Sequence, residues 1–381
     1  MLQWKKIRLA TVFSWIGAIE QALIQKNMDY DIIFACDNWE IDLDINYETE
    51  FFNVKKLRSI KEKKDYVENL YKTKSRKTNF VKISYEANYK VENDNFFYDV
   101  KLLDWRDFKD QIDLFVGWSP CQSFSIAWAR WGFEDARGTL FYEYCRLVNE
   151  IKPKIFIYEN VYGVLTHDRW NTRKVMQNSF DQLWYSYKRK ILDAKDYWIP
   201  QWRRRLFVVW FKSQKDCENF EFPKPIALKL TMQDLLLENA KDWNVVFKNW
   251  ELSVVEKWWQ VTNEKLFLSQ KLIDYVMSPW TKNFYHEDAE IDLPIARALL
   301  STMWNTHRAS VNNYVTTNWK IRALDPRETH RLMWFPDTYK IVVSKAQAYR
   351  QSGNSIVVSV LKHILDSIYG DGKNTSSTNK I

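Results

Sequence analysis

The stretch GWSPCQSFS at 117–125 places Cys121 directly behind Pro120 and after an apolar run, DLFVG, that reads as a strand. A lone cysteine in an apolar setting is more often a small core residue than a reagent. Its position argues otherwise, because open α/β sheets bind ligands outside the carboxyl ends of their strands and Pro120 stiffens the loop that would carry the thiol there. A nucleophilic cysteine needs thiolate character, and so wants cationic neighbours. Two further stretches offer groups of the right kind. YENVYG at 158–163 ends another strand-like run with Glu159, a candidate acid or base. A carboxylate there would also suit a helix N-terminus. QWRRR at 201–205 carries three arginines, and strand alternation puts Arg203 and Arg205 on one face with Arg204 on the other. A charge cluster is usually a solvated face, but arginines entering an apolar strand are rarely buried without partners.

These groups need a scaffold. IRLATVF at 7–13 reads as a buried strand, IGAIEQALIQK as the helix after it, and YDIIFACDN as a second strand ending in acidic Asp37. Strand, tight turn, helix, strand and acid open a doubly wound nucleotide-binding sheet. Strand-like runs at 113–117, 154–160 and 205–211 extend an α/β architecture. The charged, Lys- and Tyr-rich residues 48–95 read as a helical insertion on a solvated surface. Periodicity weakens after about residue 215, which divides the chain into a unit of 1–215 plus 321–381 and a smaller one of 216–320. SGNSIVVSVLKHILDSIY at 352–369 reads as a short loop leading into an amphipathic helix, and GDGKNTSSTNKI as a disordered tail.

Lys plus Arg number 56 against 48 Asp plus Glu, and the net charge of +8 suits a polyanionic partner. No apolar run approaches a membrane span and no leader pattern opens the chain, so a cytoplasmic protein with no membrane partner is expected. Cys36, Cys121, Cys145 and Cys217 lack zinc-type spacing, so neither a disulfide framework nor a metal site is expected.

In this order and with these spacings, the motifs resemble the bacterial cytosine-5 DNA methyltransferases of restriction and modification systems. FSWIG at 13–17 is similar to the family's cofactor loop F-x-G-x-G with its first glycine replaced. SPCQSFS resembles the Pro-Cys-Gln nucleophile motif, YENV the Glu-Asn-Val motif and QWRRR the Gln-x-Arg-x-Arg motif. RALDPRETHRLMWFPDTY and QSGNSIVVSV look like the last two family motifs. The resemblance covers about residues 7–212 and 317–366; in the family, the stretch between them is the variable target-recognition domain.

The resemblance implies a Rossmann-like S-adenosylmethionine-dependent domain, 1–215 plus 321–381, with a smaller, irregular target-recognition domain at 216–320. Cys121 would attack C6 of a flipped-out cytosine, and Glu159 would protonate or hydrogen-bond N3. Arg203 and Arg205 would hold the cysteine loop, the base's O2 or a nearby phosphate. S-adenosylmethionine would be the methyl donor, with Phe13 on the adenine, Gly17 admitting close backbone approach, and Asp37 on the ribose hydroxyls. Asp99 is preferred over Asp104 as the adenine-contacting acid, and Pro120 and Asn354 would border the pocket. The partner would be double-stranded DNA, met by a monomer without metal, with any cognate restriction endonuclease acting separately. An RNA cytosine-5 methyltransferase and a catalytically impaired DNA-binding relative are the alternatives.

The second alternative rests on tryptophan. Glycine numbers 8 and tryptophan 20 among 381 residues, and the two together come close to glycine's usual share of about 7%. Trp15, Trp118, Trp198, Trp210 and Trp334 stand where the family pattern has glycine. Asn38-Trp39, Asp104-Trp105 and Asn318-Trp319 would be ordinary turn dipeptides with glycine in place of tryptophan. Read literally, the sequence predicts a weak or dead enzyme. UGA codons that the organism reads as glycine, translated with a table that reads them as tryptophan, would account for all of these departures.

Overall fold

The computed structural model describes residues 6–118, 140–165, 171–237, 243–248, 251–256, 264–278, 280–281, 284–285 and 289–370. Its centre is a sheet built from β1 (Ile7–Val12), β2 (Tyr30–Cys36), β3 (Phe96–Phe97), β4 (Leu114–Gly117), β5 (Ile155–Val161), β6 (Ser186–Asp193) and β8 (Arg204–Phe211), with the short β7 (Gln201–Trp202) just before β8. The seven strands lie in the order β3-β2-β1-β4-β5-β8-β6. β3, β2, β1, β4 and β5 run parallel, and β8 enters antiparallel to both of its neighbours. Strands covered on both faces read as continuous apolar runs, which is why β1, β4, β5 and β8 were legible. The edge strand β6, SYKRKILD, alternates charge with partial exposure and reads like a loop.

The chain leaves β1 toward β2 on one side and returns to β4 on the other, so the switch point lies between the carboxyl ends of β1 and β4. Helix α1 (Ala18–Gln25) starts at that point, behind the FSWIG turn. The expected insertion is helical: α2 (Tyr47–Lys56), α3 (Ile60–Lys74) and α4 (Phe80–Asn88). It is not a solvated surface throughout. Val54, Lys63, Val67, Tyr71, Val81, Ser84 and Tyr85 are buried, and Lys63, Val67 and Tyr71 share one face of α3 at four-residue spacing.

Helices α5 (Leu140–Ile151), α6 (Asn171–Asp181) and α7 (Gln214–Asn219) complete the first part of the chain. Beyond them come the hairpin β9 (Trp243–Lys248) and β10 (Glu251–Glu256), α8 (Gln270–Met277), the short pair β11 (Trp280–Thr281) and β12 (Phe284–Tyr285), β13 (Ala296–Arg297), and the hairpin β14 (Tyr314–Thr317) and β15 (Lys320–Ala323). Val276, Ala309 and Tyr314 form a second, small core here, apart from the one around the sheet. α9 (Pro326–Arg331), α10 (Lys345–Asn354) and α11 (Val358–Tyr369) follow, α11 packing against α1.

The SGN of SGNS closes α10 and is not the loop expected from sequence. Close packing explains it: a Cβ on Gly353 would lie 2.3 Å from the Leu300 carbonyl carbon, so only glycine fits this helix end. Among the described residues no helix is long and apolar enough to cross a membrane.

Candidate active site

At the end of β1 the chain turns through left-handed backbone at Phe13, Trp15 and Gly17, with φ of 55°, 46° and 75°. Gly17 is held in place by Tyr89, whose hydroxyl donates to the carbonyls of Ile16 and Gly17 at 3.0 and 2.9 Å. A Cβ on Gly17 would meet the Tyr89 ring at 2.2 Å. Asp37 ends β2 and accepts the backbone N–H groups of Trp15 at 3.1 Å and Trp39 at 2.8 Å. Burial pushes its carboxyl up to about 7, against the pull of those two donors.

Asp99, just past β3, accepts the Lys101 N–H at 2.9 Å and the Tyr71 hydroxyl at 2.7 Å. Burial raises this carboxyl as well. Asp104 differs. Burial opposes its ionisation, but hydrogen bonds from Arg106 and Lys63 outweigh it and hold the carboxyl at about 2. Those ion pairs, with Lys63 Nζ at 2.8 Å, already engage Asp104, whereas every hydrogen bond to Asp99 comes from a neutral group. Two buried carboxylates whose hydrogen-bond donors are uncharged offer acceptors of the kind that the hydroxyl and amino groups of a nucleoside need. The indoles do not fit one: the Trp15 and Trp39 rings meet edge-on at 5.2 Å, each 5% exposed, on the ground beside Asp37.

On the other side of the switch point, β4 pairs with both β1 and β5, with Gly117 opposite Val12 and Tyr158. Glu159 therefore projects from the strand next to the one that delivers the Pro120-Cys121 loop. Pro120 and Cys121 themselves lie outside the described residues. Glu159 is 6% exposed, with one carboxyl oxygen 3.1 Å from Arg205 Nε. Burial pushes its carboxyl up, while Arg205 and then Arg203 oppose the rise. Asn160 serves the strand end locally, donating to the Tyr158 hydroxyl at 2.7 Å and accepting the Val161 N–H at 2.8 Å.

Arg203 has a different environment from Arg205. It precedes β8, is buried, and donates to the carbonyls of Leu299, Gly353 and Ser355 at 2.9, 2.8 and 2.8 Å. The last two flank Asn354, which ends α10 half-buried. Gln201 works alongside, accepting the Leu299 N–H and donating to the Leu332 carbonyl, and β7 pairs with β13. This joining role was missed from sequence. Its only signal was a Gln and an Arg two residues apart, placed just before a strand rather than inside it.

The tryptophans fall into two groups. Trp15, Trp39, Trp184, Trp198, Trp319 and Trp334 have φ between 46° and 69°, where a residue with a side chain is strained by about 1–2 kcal/mol. Asn318 and Trp319 together form a two-residue hairpin loop between β14 and β15 with φ of 48° and 63°, the type I′ turn that selects Asn-Gly. Trp319 is 99% exposed. Trp334 sits behind α9 at the glycine position of a Schellman ending, with its own N–H on the Arg331 carbonyl and the Phe335 N–H on that of His330. In contrast, Trp210 lies within β8 and stacks on Phe156 at 4.3 Å, and Trp105 is buried at the start of a 3-10 turn.

The profile of the C-5 cytosine-specific DNA methylase family matches residues 72–370. The type II methyltransferase M.HhaI of Haemophilus parahaemolyticus is 37% identical over 252 residues, 66% of this chain and 74% of that protein. M.Bsp6I of a Bacillus species is 31% identical over 294 residues, 75% of this chain and 87% of its own. Among solved structures, the Dnmt2 methyltransferase of S. pombe aligns with a TM-score of 0.61 at 16% identity, over 95% of this chain and 98% of its own. DNMT2 of Spodoptera frugiperda aligns with a TM-score of 0.64 at 14% identity, over 95% and 99%. At such identities these two likenesses concern the fold alone.

Proposed function

The chain belongs to the C-5 cytosine-specific DNA methylases, and from that premise we infer how its own residues divide the reaction. The protein methylates C5 of cytosine in DNA, as a restriction–modification methyltransferase of type II, with S-adenosylmethionine as the methyl donor. Asp37 holds the donor's ribose hydroxyls and Asp99 its adenine amino group; Phe13 lies against the ring and Gly17 allows the backbone to come close. When bound, the donor supplies a methyl group made electrophilic by its sulfonium.

The base must leave the helix to reach the switch point. Cys121 then gives its thiolate electron pair to C6, and the ring's C5–C6 pair becomes available at C5, which takes the methyl group and leaves the donor's sulfur as a neutral thioether. The C5 proton passes to solvent, its electron pair re-forms the C5–C6 double bond and expels the thiolate, and N3 returns its proton to Glu159, which restores the aromatic ring. Glu159 places a proton at N3 as C6 is attacked, and burial, which favours the protonated acid, suits it to that role. Arg205 holds the Glu159 carboxyl, while Arg203 acts as a positioning residue that ties down the residues on either side of Asn354. The observation that carries this reading is the buried Glu159 beside the strand that leads into Cys121.

Residues 216–320 are the proposed target-recognition domain, supported by their separate small core, and the net charge of +8 offsets DNA phosphates. The protein acts as a cytoplasmic monomer, with any cognate endonuclease working separately. Positions 15, 39, 118, 184, 198, 319 and 334 are glycine in the protein as its host makes it, a reading supported at all of them but 118 by their left-handed backbone. Transfer of a labelled methyl group to DNA tests both points. The chain as written is expected to give none, and the chain carrying Trp15→Gly, Trp39→Gly and Trp118→Gly to give stoichiometric turnover. A folded, glycine-restored chain without transfer would sink the functional reading, and a UGG codon at position 15 would sink the glycine reading.

A further inference from the structure

Asp99 is reached by a phenol from the inserted helices. Tyr71, on the buried face of α3, donates to one Asp99 oxygen at 2.7 Å. Burial, and then the charge of Asp99, pushes up the phenol of Tyr47, the first residue of α2. The Lys101 N–H takes the other oxygen at 2.9 Å. A carboxylate offers about four acceptor sites, so these two bonds leave acceptor capacity for an incoming donor.

Tyr71 is itself fixed. Its ring lies 5.0 Å from that of Tyr98 and its hydroxyl accepts from Asn38 Nδ2 at 3.4 Å. Two turns earlier on the same helix face, Lys63 is anchored on Asp104 at 2.8 Å and Asp107 at 2.7 Å. The inserted helices thus have two grips on the segment that follows β3, one of them on the acid that meets the donor.

We propose that Tyr71 is a positioning residue for the methyl donor's adenine, acting through Asp99. Its hydroxyl fixes the rotamer of the carboxylate and leaves acceptor capacity for the adenine amino group. This rests on the assignment of Asp99 to the donor site. A protein without the inserted helices would have to orient that acid by other means, so the insertion is a specificity element of the donor pocket and more than a surface decoration.

The test uses the full-length glycine-restored chain and compares it with the Tyr71→Phe variant, which keeps the ring and removes only the hydroxyl. Calorimetric affinities are measured for S-adenosylhomocysteine and for its inosine counterpart, in which a carbonyl replaces the amino group. The expected result is about a tenfold loss of affinity for the adenosyl ligand, with the inosyl affinity and the unfolding midpoint close to the parent's, so that the preference for adenine shrinks. Equal losses for both ligands, or an unchanged preference, would overturn the proposal while leaving Asp99 in place. A folded parent that binds neither ligand would overturn the donor-site assignment, and the proposal with it.

Discussion

The two sides of the switch point hold buried acids in different ways. On the side proposed for the donor, the hydrogen bonds to Asp37 and Asp99 among the described residues come from neutral groups, backbone N–H and the Tyr71 hydroxyl. On the transfer side, Glu159 faces the guanidinium of Arg205. A neutral donor leaves a carboxylate free to accept from hydroxyl and amino groups of a ligand without competing with a charge. A guanidinium beside a buried acid instead tunes where its proton sits, which is what a group that must hand a proton to a base requires. The difference predicts that damage on one side should change binding and damage on the other should change chemistry.

The largest expected effect lies on the transfer side. In the glycine-restored chain, Cys121→Ser and Glu159→Gln should each lower labelled methyl transfer by at least about a thousandfold, with the affinity for S-adenosylhomocysteine kept within about twofold of the parent. Loss of cofactor binding in either variant would break the comparison. Asp37→Asn comes next, removing charge from the site proposed for the ribose hydroxyls. It should weaken cofactor affinity by about 10- to 100-fold, the worth of one or two charge-assisted hydrogen bonds, while turnover at saturating cofactor changes little. Steady-state kinetics separate the two, and an unchanged KM would remove Asp37 from the donor site.

An effect on stability and not on turnover concerns Glu20, buried below the donor turn, where it accepts the Tyr85 hydroxyl. Burial pushes its carboxyl up to about 7. The folded protein therefore keeps this proton while the unfolded chain ionises near the ordinary value of 4.5. Stability attributable to Glu20 should be fully present below that value and fall by about 3 kcal/mol as pH rises through 7. Glu20→Gln should flatten urea-unfolding stability between pH 5 and 8, and a profile as steep as the parent's would place the titrating group elsewhere.

Much of this comparison was legible in the sequence. Each site residue stands at the end of an apolar run that a parallel sheet buries on both faces, so the strands announced themselves and the acids marked their ends. The preference for Asp99 over Asp104 could not be read that way. Both follow β3 within a few residues, and what separates them is the pairing of Asp104 with Arg106 and with Lys63, the latter about forty residues earlier. The role of Arg203 was hidden for a similar reason, since its partners at 299, 353 and 355 are carbonyls and leave no mark in side-chain type. The insertion was misjudged because a helix with one buried stripe and many lysines has the composition of a solvated one.

The sequence by itself determined the sheet, the motif order and the family, because apolar periodicity and the types of the reacting groups are local properties. It also revealed too many tryptophans and too few glycines. Only the tertiary structure shows which described tryptophans take left-handed backbone: φ is a property of the folded chain, and it sets Trp15, Trp39, Trp184, Trp198, Trp319 and Trp334 apart from Trp210, which an ordinary strand accommodates. The long-range partners of Asp99 and Arg203 were decided there too, since hydrogen bonds between residues distant in the chain exist only once the fold brings them within reach.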